Sequence, residues 1–227
     1  MYQTLQRVNP LPNLVETDRP RFIKAAIAEF IGAFFLMLAA LLAPPGIGFL
    51  MVGLIVLVMV VAIGDVSGAH LNPAVTTGLV VARKFPLLDG LLYIPLQFVG
   101  GLSAILLMRL LGRPLPTIVP GSAVTIFEFL GAFLLVFVVI HVTVRKVPET
   151  GSALGIGAAL AVGALIAGTA GGGVINPALG LSMWIARVID DGIFALIPFV
   201  LAPLVAGIVA GLLGSYLGSR PKLEGTA

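Results

Sequence analysis

The chain has 227 residues, 59% of them hydrophobic and only 10% charged, with a mean hydropathy of +1.15. Soluble globular chains are about half apolar and about a quarter charged, so this composition sets aside a soluble enzyme, a disordered protein and a nucleic-acid-binding domain. The net charge of +3 and pI of 9.6 come from basic residues at segment ends rather than in one patch, which points to membrane orientation and not to a polyanion partner.

The first twenty or so residues are polar, with no early apolar stretch of the signal-peptide type. They read as a tail over 1–21, and the first long apolar run then serves as the insertion signal. A helix needs ~20 apolar residues to cross the hydrocarbon core. Six stretches meet that length, at 25–43, 47–64, 90–108, 123–144, 152–170 and 193–216. Pro44-Pro45 and Pro114-Leu115-Pro116 fall between spans, where helix breakers are tolerated. Placing the N-terminus inside puts ten of the thirteen Lys and Arg on the cytoplasmic side: Arg7, Arg19, Arg21, Lys24, Arg83, Lys84, Arg145, Lys146, Arg220 and Lys222. Arg109, Arg113 and Arg187 face out, and both termini are cytoplasmic. Cysteine is absent, which removes disulfides, thiolate metal sites and a cysteine nucleophile. None of Asn9, Asn13, Asn72 and Asn176 begins a glycosylation acceptor, which leans towards a prokaryotic source, and a bacterial inner membrane is the expected location.

The chain contains an internal repeat. Residues 28–37 (AEFIGAFFLM) and 127–136 (FEFLGAFLLV) match at six of ten positions, pairing Glu29 with Glu128 and Gly32 with Gly131. Residues 72–83 (NPAVTTGLVVAR) and 176–187 (NPALGLSMWIAR) both begin Asn-Pro-Ala and end Ala-Arg. Ile94-Pro95 is echoed by Ile197-Pro198. Each half contains three spans, an odd number, so the second half enters the membrane from the opposite side. Such inverted repeats place functional sites near the midplane. The loops hold no second domain. One membrane domain is expected over 22–219, with repeats at about 22–112 and 121–216 and a C-terminal tail over 220–227.

Each Asn-Pro-Ala segment, from its Pro to its Arg, is long enough for ~16 Å of helix, about half the hydrocarbon thickness. Pro73 and Pro177 suit the first helical position, Asn72 and Asn176 the N-cap, and Arg83 and Arg187 the C-terminal end. Two half-helices entering from opposite faces meet at their N-termini, gathering two Asn amides and two positive dipole ends. That meeting point can orient a neutral hydrogen-bonding solute and repel cations and protons.

These motifs resemble the aquaporins, the water and glycerol channels of the major intrinsic protein family. The resemblance covers about Ala25 to Ser215. It rests on Ala-Glu-Phe-x-Gly in span one, Ser67-Gly68-Ala69-His70-Leu71-Asn72-Pro73-Ala74, and Gln97. Glu128, Gly173-Val174-Ile175-Asn176-Pro177-Ala178 and Pro203 complete it. It implies an all-α membrane protein with six tilted spans and two re-entrant half-helices around a pore in each subunit, usually a homotetramer. It also implies passive flow without a cofactor. Glu29 and Glu128 then accept backbone hydrogen bonds from the re-entrant loops, a proton relay being the alternative, and His70 stabilises the first loop, gating being the alternative.

The family's selectivity filter usually includes an Arg three residues after the second Asn; here that position is Leu179. Matching the other positions gives Val52, twenty before Asn72, Ala164, twelve before Asn176, and Gly173, three before Asn176. This set carries no charge, aromatic ring or side-chain hydrogen-bonding group. It implies a wide, greasy opening with the backbone carbonyls of 171–175 as its polar rail. Uncharged solutes larger than water, such as glycerol or arsenous acid, are the expected cargo. A water-selective or occluded channel is the alternative, and a coupled secondary transporter the competing class. A transporter needs ion ligands near the midplane, and the only buried carboxylates are the two Glu that the repeat pairs. Two distant His without Cys do not form a metal site. Gly155, Gly157, Gly163 and Gly168, and the Gly207/Gly211 pair, read as close-packing positions. Trp184 reads as an outer-interface anchor, and His141 has no evident partner.

Overall fold

A computed structural model describes residues 19–189 and 192–218. Arg7, Arg220 and Lys222, and most of both tails, lie outside the described residues. The elements are α1 (Arg19–Leu42), α2 (Gly48–Ser67), α3 (Pro73–Val81), α4 (Leu87–Leu110), α5 (Val124–Arg145), α6 (Glu149–Gly168), α7 (Pro177–Ile185) and α8 (Ala202–Gly218). A 3-10 turn (Gly192–Ala195) and a π turn (Ile197–Leu201) lead into α8. Among the described residues six helices are long and apolar enough to cross a membrane, the last being the continuous stretch Gly192–Gly218. α1 begins at Arg19, inside the stretch read above as tail. The π turn was not anticipated. Pro198 has no N–H to give, and the Ala202 N–H closes a wider ring onto the Ile197 carbonyl.

Within each half the outer spans pair, α1 with α4 and α5 with α8, while α2 and α6 pack together across the halves. The half-helices are exchanged. α3 of the first half lies mainly on α8 of the second, and α7 lies on α4 of the first. The repeat therefore forms one interlocked body.

Lipid-surrounded helices gain no hydrophobic free energy by associating, so close packing has to hold them together. Glycines supply it at the crossings. A Cβ on Gly163 would lie 2.6 Å from the Gly131 carbonyl, and one on Gly53 would lie 2.7 Å from the Gly157 carbonyl. Gly211 touches the Gly78 carbonyl, and Gly207 that of Ala74, which seats α3 on α8. Not every glycine has this role. Gly155 makes ordinary contacts and Gly168 faces open space, so the expectation of close packing fails at these two. Gly163→Ala is therefore expected to reduce the yield of folded protein and its Tm in detergent, with Gly168→Ala neutral. Size-exclusion chromatography and thermal unfolding of the two variants check this.

Candidate functional site

α3 and α7 are nine residues each, with Pro73 and Pro177 in their first turns. Asn72 and Asn176 have extended backbone and cap the helices. The Ala74 N–H donates to Asn72 Oδ1 at 2.8 Å, and the Ala178 N–H donates to Asn176 Oδ1 at 3.0 Å. At the other ends, Arg83 and Arg187 take left-handed φ of 56° and 53°, closing each helix just past its cap. The cation on the last carbonyls of α7 is Arg109, whose guanidinium donates to the Ala186 carbonyl, rather than Arg187, which is exposed.

The residue before each Asn is also left-handed, Leu71 at φ 54° and Ile175 at φ 42°. For a β-branched residue such as Ile175 this conformation is costly, and it persists only where its surroundings enforce it. The twist turns each carbonyl across the midplane. Asn176 Nδ2 donates to the Leu71 carbonyl at 2.9 Å, and Asn72 Nδ2 donates to the Ile175 carbonyl at 3.0 Å. The two loops are thus cross-braced by a reciprocal pair of hydrogen bonds. Each amide uses one proton in the brace. The other proton remains to donate to a solute at the junction.

The buried carboxylates enforce the strain. Glu128 accepts the N–H groups of Gly173, Val174 and Ile175 at 2.6–2.8 Å. Glu29 accepts the His70 and Leu71 N–H groups, the Ser67 hydroxyl and Gln97 Nε2 at 2.7–2.9 Å. Both side chains are fully buried. Each carboxylate oxygen accepts at least one loop N–H, and Glu29 Oε2 also accepts from Gln97 of α4. His70 Nδ1 lies 3.2 Å from Thr76 Oγ1, whose own proton goes to the Asn72 carbonyl. The His70 ring also packs against Phe85 and Tyr93. Ser67 belongs to the motif quoted above, whereas nothing in the sequence marks Thr76 and Tyr93 as part of the site beyond polarity within an apolar run. His141 does have a partner, its Nδ1 meeting the Phe137 carbonyl at 2.8 Å one helical turn back. Trp184 Nε1 donates to the Gly192 carbonyl.

Two cavities flank the Asn pair. On the side of Asn176 is a cavity of about 520 Å³. Val52, Ala164, Gly173 and Leu179 all lie in its wall, with Asn176 and Thr169 as its polar side chains. Leu179 leans on α4, its Cδ1 3.6 Å from where a Gly101 Cβ would stand, and so leaves the lumen open. Gly173 has φ 99°, and a Cβ there would sit 3.1 Å from the Ala164 carbonyl, so the backbone itself demands glycine. Among the described residues, the carbonyls of Gly172, Gly173 and Val174 take no part in the loop's own hydrogen bonds. On the side of Asn72 is a cavity of only about 20 Å³, bounded by His70 and a set of Leu, Ile and Val side chains. Leu36 and Leu160 border both. Among the described residues no cluster of His, Asp and Glu could hold a metal ion.

Comparison with known proteins agrees with this geometry. The chain is 36% identical over 176 residues to Aquaporin NIP1-4 of Oryza sativa subsp. japonica, covering 69% of this chain and 64% of that protein. It therefore spans a little under two thirds of that relative's length. It is 30% identical over 227 residues to Nodulin-26 of Glycine max, covering 91% of this chain and 80% of that protein. In fold it is similar to the aquaglyceroporin of Plasmodium falciparum, with a TM-score of 0.63 at 22% identity, covering 86% of this chain and 95% of that one. Residues 16–216 match the family model described as Major intrinsic protein. The chain belongs to the major intrinsic protein family, whose members are membrane channels and not enzymes.

Proposed function

We propose that this channel passes water together with uncharged solutes larger than water, glycerol or arsenous acid among them. The observation that carries this is the cavity of about 520 Å³ whose wall includes the four filter positions, none of which bears a charge or a ring; Phe49 lies elsewhere in the same wall. Leu179 takes the place of the Arg that would otherwise project there. A polyol or a neutral hydroxide loses its hydration shell on entry. Loop carbonyls and the Asn amides can replace that shell on one side while the apolar wall takes the other. Passive entry of glycerol or arsenous acid into liposomes carrying the protein is expected to exceed entry into empty ones. Equal rates would refute the proposal.

Charge exclusion in this scheme rests on the two half-helix dipoles and the Asn pair. Both dipoles direct positive potential at the junction, and the Asn amides offer donors and no relay base. A pH-sensitive dye inside the liposomes is expected to report proton leakage close to that of empty vesicles. A large leak would show that the missing Arg is needed for proton exclusion.

The distribution of Lys and Arg supports cytoplasmic termini, and the wide cavity then opens outward. We further propose a homotetramer in a bacterial inner membrane, with a channel domain over 22–219 between two polar tails. Multi-angle light scattering on the detergent-solubilised protein tests the assembly.

A further inference from the structure

The inverted repeat gives three of the four filter positions a counterpart in the wall of the other cavity; the fourth, Ala164, corresponds to Val60, which is not in that wall. Val52 stands twenty residues before Asn72, and Ile156 stands twenty before Asn176. Leu179 follows Asn176 by three, and Val75 follows Asn72 by three. Gly173 corresponds in the same way to Ala69. The first member of each pair borders the wide cavity, and Ile156, Val75 and Ala69 all border the narrow one. The two ends thus have the same plan and different filling. Val is replaced by Ile and Gly by Ala, while Leu is replaced by the smaller Val. Leu135 and Val139 of α5 close the remaining side.

The cavities on the two sides measure about 520 and about 20 Å³, a gap larger than these one-carbon exchanges produce by themselves. A cavity of ~10–15 Å³ on this measure holds one water, so the narrow section accommodates about one at a time. Its polar side chains are His70 and Asn72, and the rest of its side-chain wall is hydrocarbon. Val75, Leu135 and Val139 are buried and wedged between helices, so the ring has little room to widen.

We propose that the size limit of this channel is set by this second, repeat-generated constriction around Ile156, Val75, Leu135 and Val139, and not by the filter positions on the wide side. The proposal rests on the channel function above and locates its sieve. A slender solute such as glycerol passes end-on in single file, and a wider one enters the wide cavity and stops.

The test is stopped-flow solute entry into proteoliposomes with urea, glycerol, erythritol and pentaerythritol, in which erythritol is longer than glycerol at the same end-on width and pentaerythritol, with its quaternary carbon, is wider. Ile156→Ala and Val139→Ala are expected to raise entry of the first excluded member by about tenfold. Val52→Ala, which enlarges a section already wide, is expected to leave the limit where it is. Ile156→Val removes a single methyl and serves if the larger truncations do not fold, with a smaller shift in the same direction. Water permeability in every variant establishes that the channel is assembled. An unchanged limit in all narrow-side variants, or a limit moved by Val52→Ala alone, would overturn the proposal. If the native protein excludes glycerol and Ile156→Ala admits it, the sieve stands where we place it and the glycerol reading fails.

Discussion

Leu179→Arg is expected to lower glycerol entry by about tenfold or more, with a smaller loss of water flow. Leu179 is buried and leans on the α4 glycine Gly101. An Arg stem follows the same path for its first carbons and then outruns the space. Its guanidinium cannot be buried among Leu36, Val52 and Ala164 without a counter-charge, because no carboxylate lines this cavity. It has to project into the wet lumen and bond to the free loop carbonyls. That occupies the rail and narrows the opening at one stroke. A factor of ten corresponds to ~1.4 kcal/mol added to the barrier, a modest demand for a large side chain in a solute's path. Paired water and glycerol traces on the same vesicles check this. Unchanged glycerol entry would show that position 179 does not face the path.

Glu128→Gln is expected to abolish most of the folded assembly. Glu128 divides three loop N–H groups between its oxygens, two on Oε1 and one on Oε2. Gln keeps one oxygen and sets an NH2 group against the remaining donor. A buried donor without a partner costs about 1–3 kcal/mol, and hydrogen bonds to a charged group are worth about 1.5–3 kcal/mol each. Natural stabilities are about 5–15 kcal/mol, so the loss is a large part of the whole. The strain at Ile175 compounds it, because the loop then has less holding its left-handed turn. Size-exclusion profiles and Tm of the variant measure the effect. Normal assembly with an altered pH dependence of transport would make Glu128 a proton relay instead.

The half-helices were legible in the sequence because their signals are local. A Pro in the first turn, an Asn cap and an Arg just past the end lie within twelve residues, and the repeat doubles each signal. The spans were legible because twenty apolar residues have few other uses. α2 nonetheless runs on to Ser67, because Gly68 with φ 86° is the residue that ends it, and α6 starts at Glu149, straight after Pro148. What was not legible depends on separation. The reciprocal brace joins Asn176 to Leu71 across 105 residues, and only the left-handed twist at Leu71 and Ile175 brings it about. Gly155 and Gly163 look alike in the chain, yet only Gly163 lies at a helix crossing. The narrow section collects side chains from five helices, and each is an ordinary Val, Leu or Ile in an ordinary apolar run.

The most direct test of the central claim is stopped-flow light scattering on the native protein, recording water efflux and glycerol entry in the same proteoliposomes. An uncharged filter of this width predicts that both exceed the rates of empty vesicles. Fast water with glycerol entry no faster than in empty vesicles would contradict it.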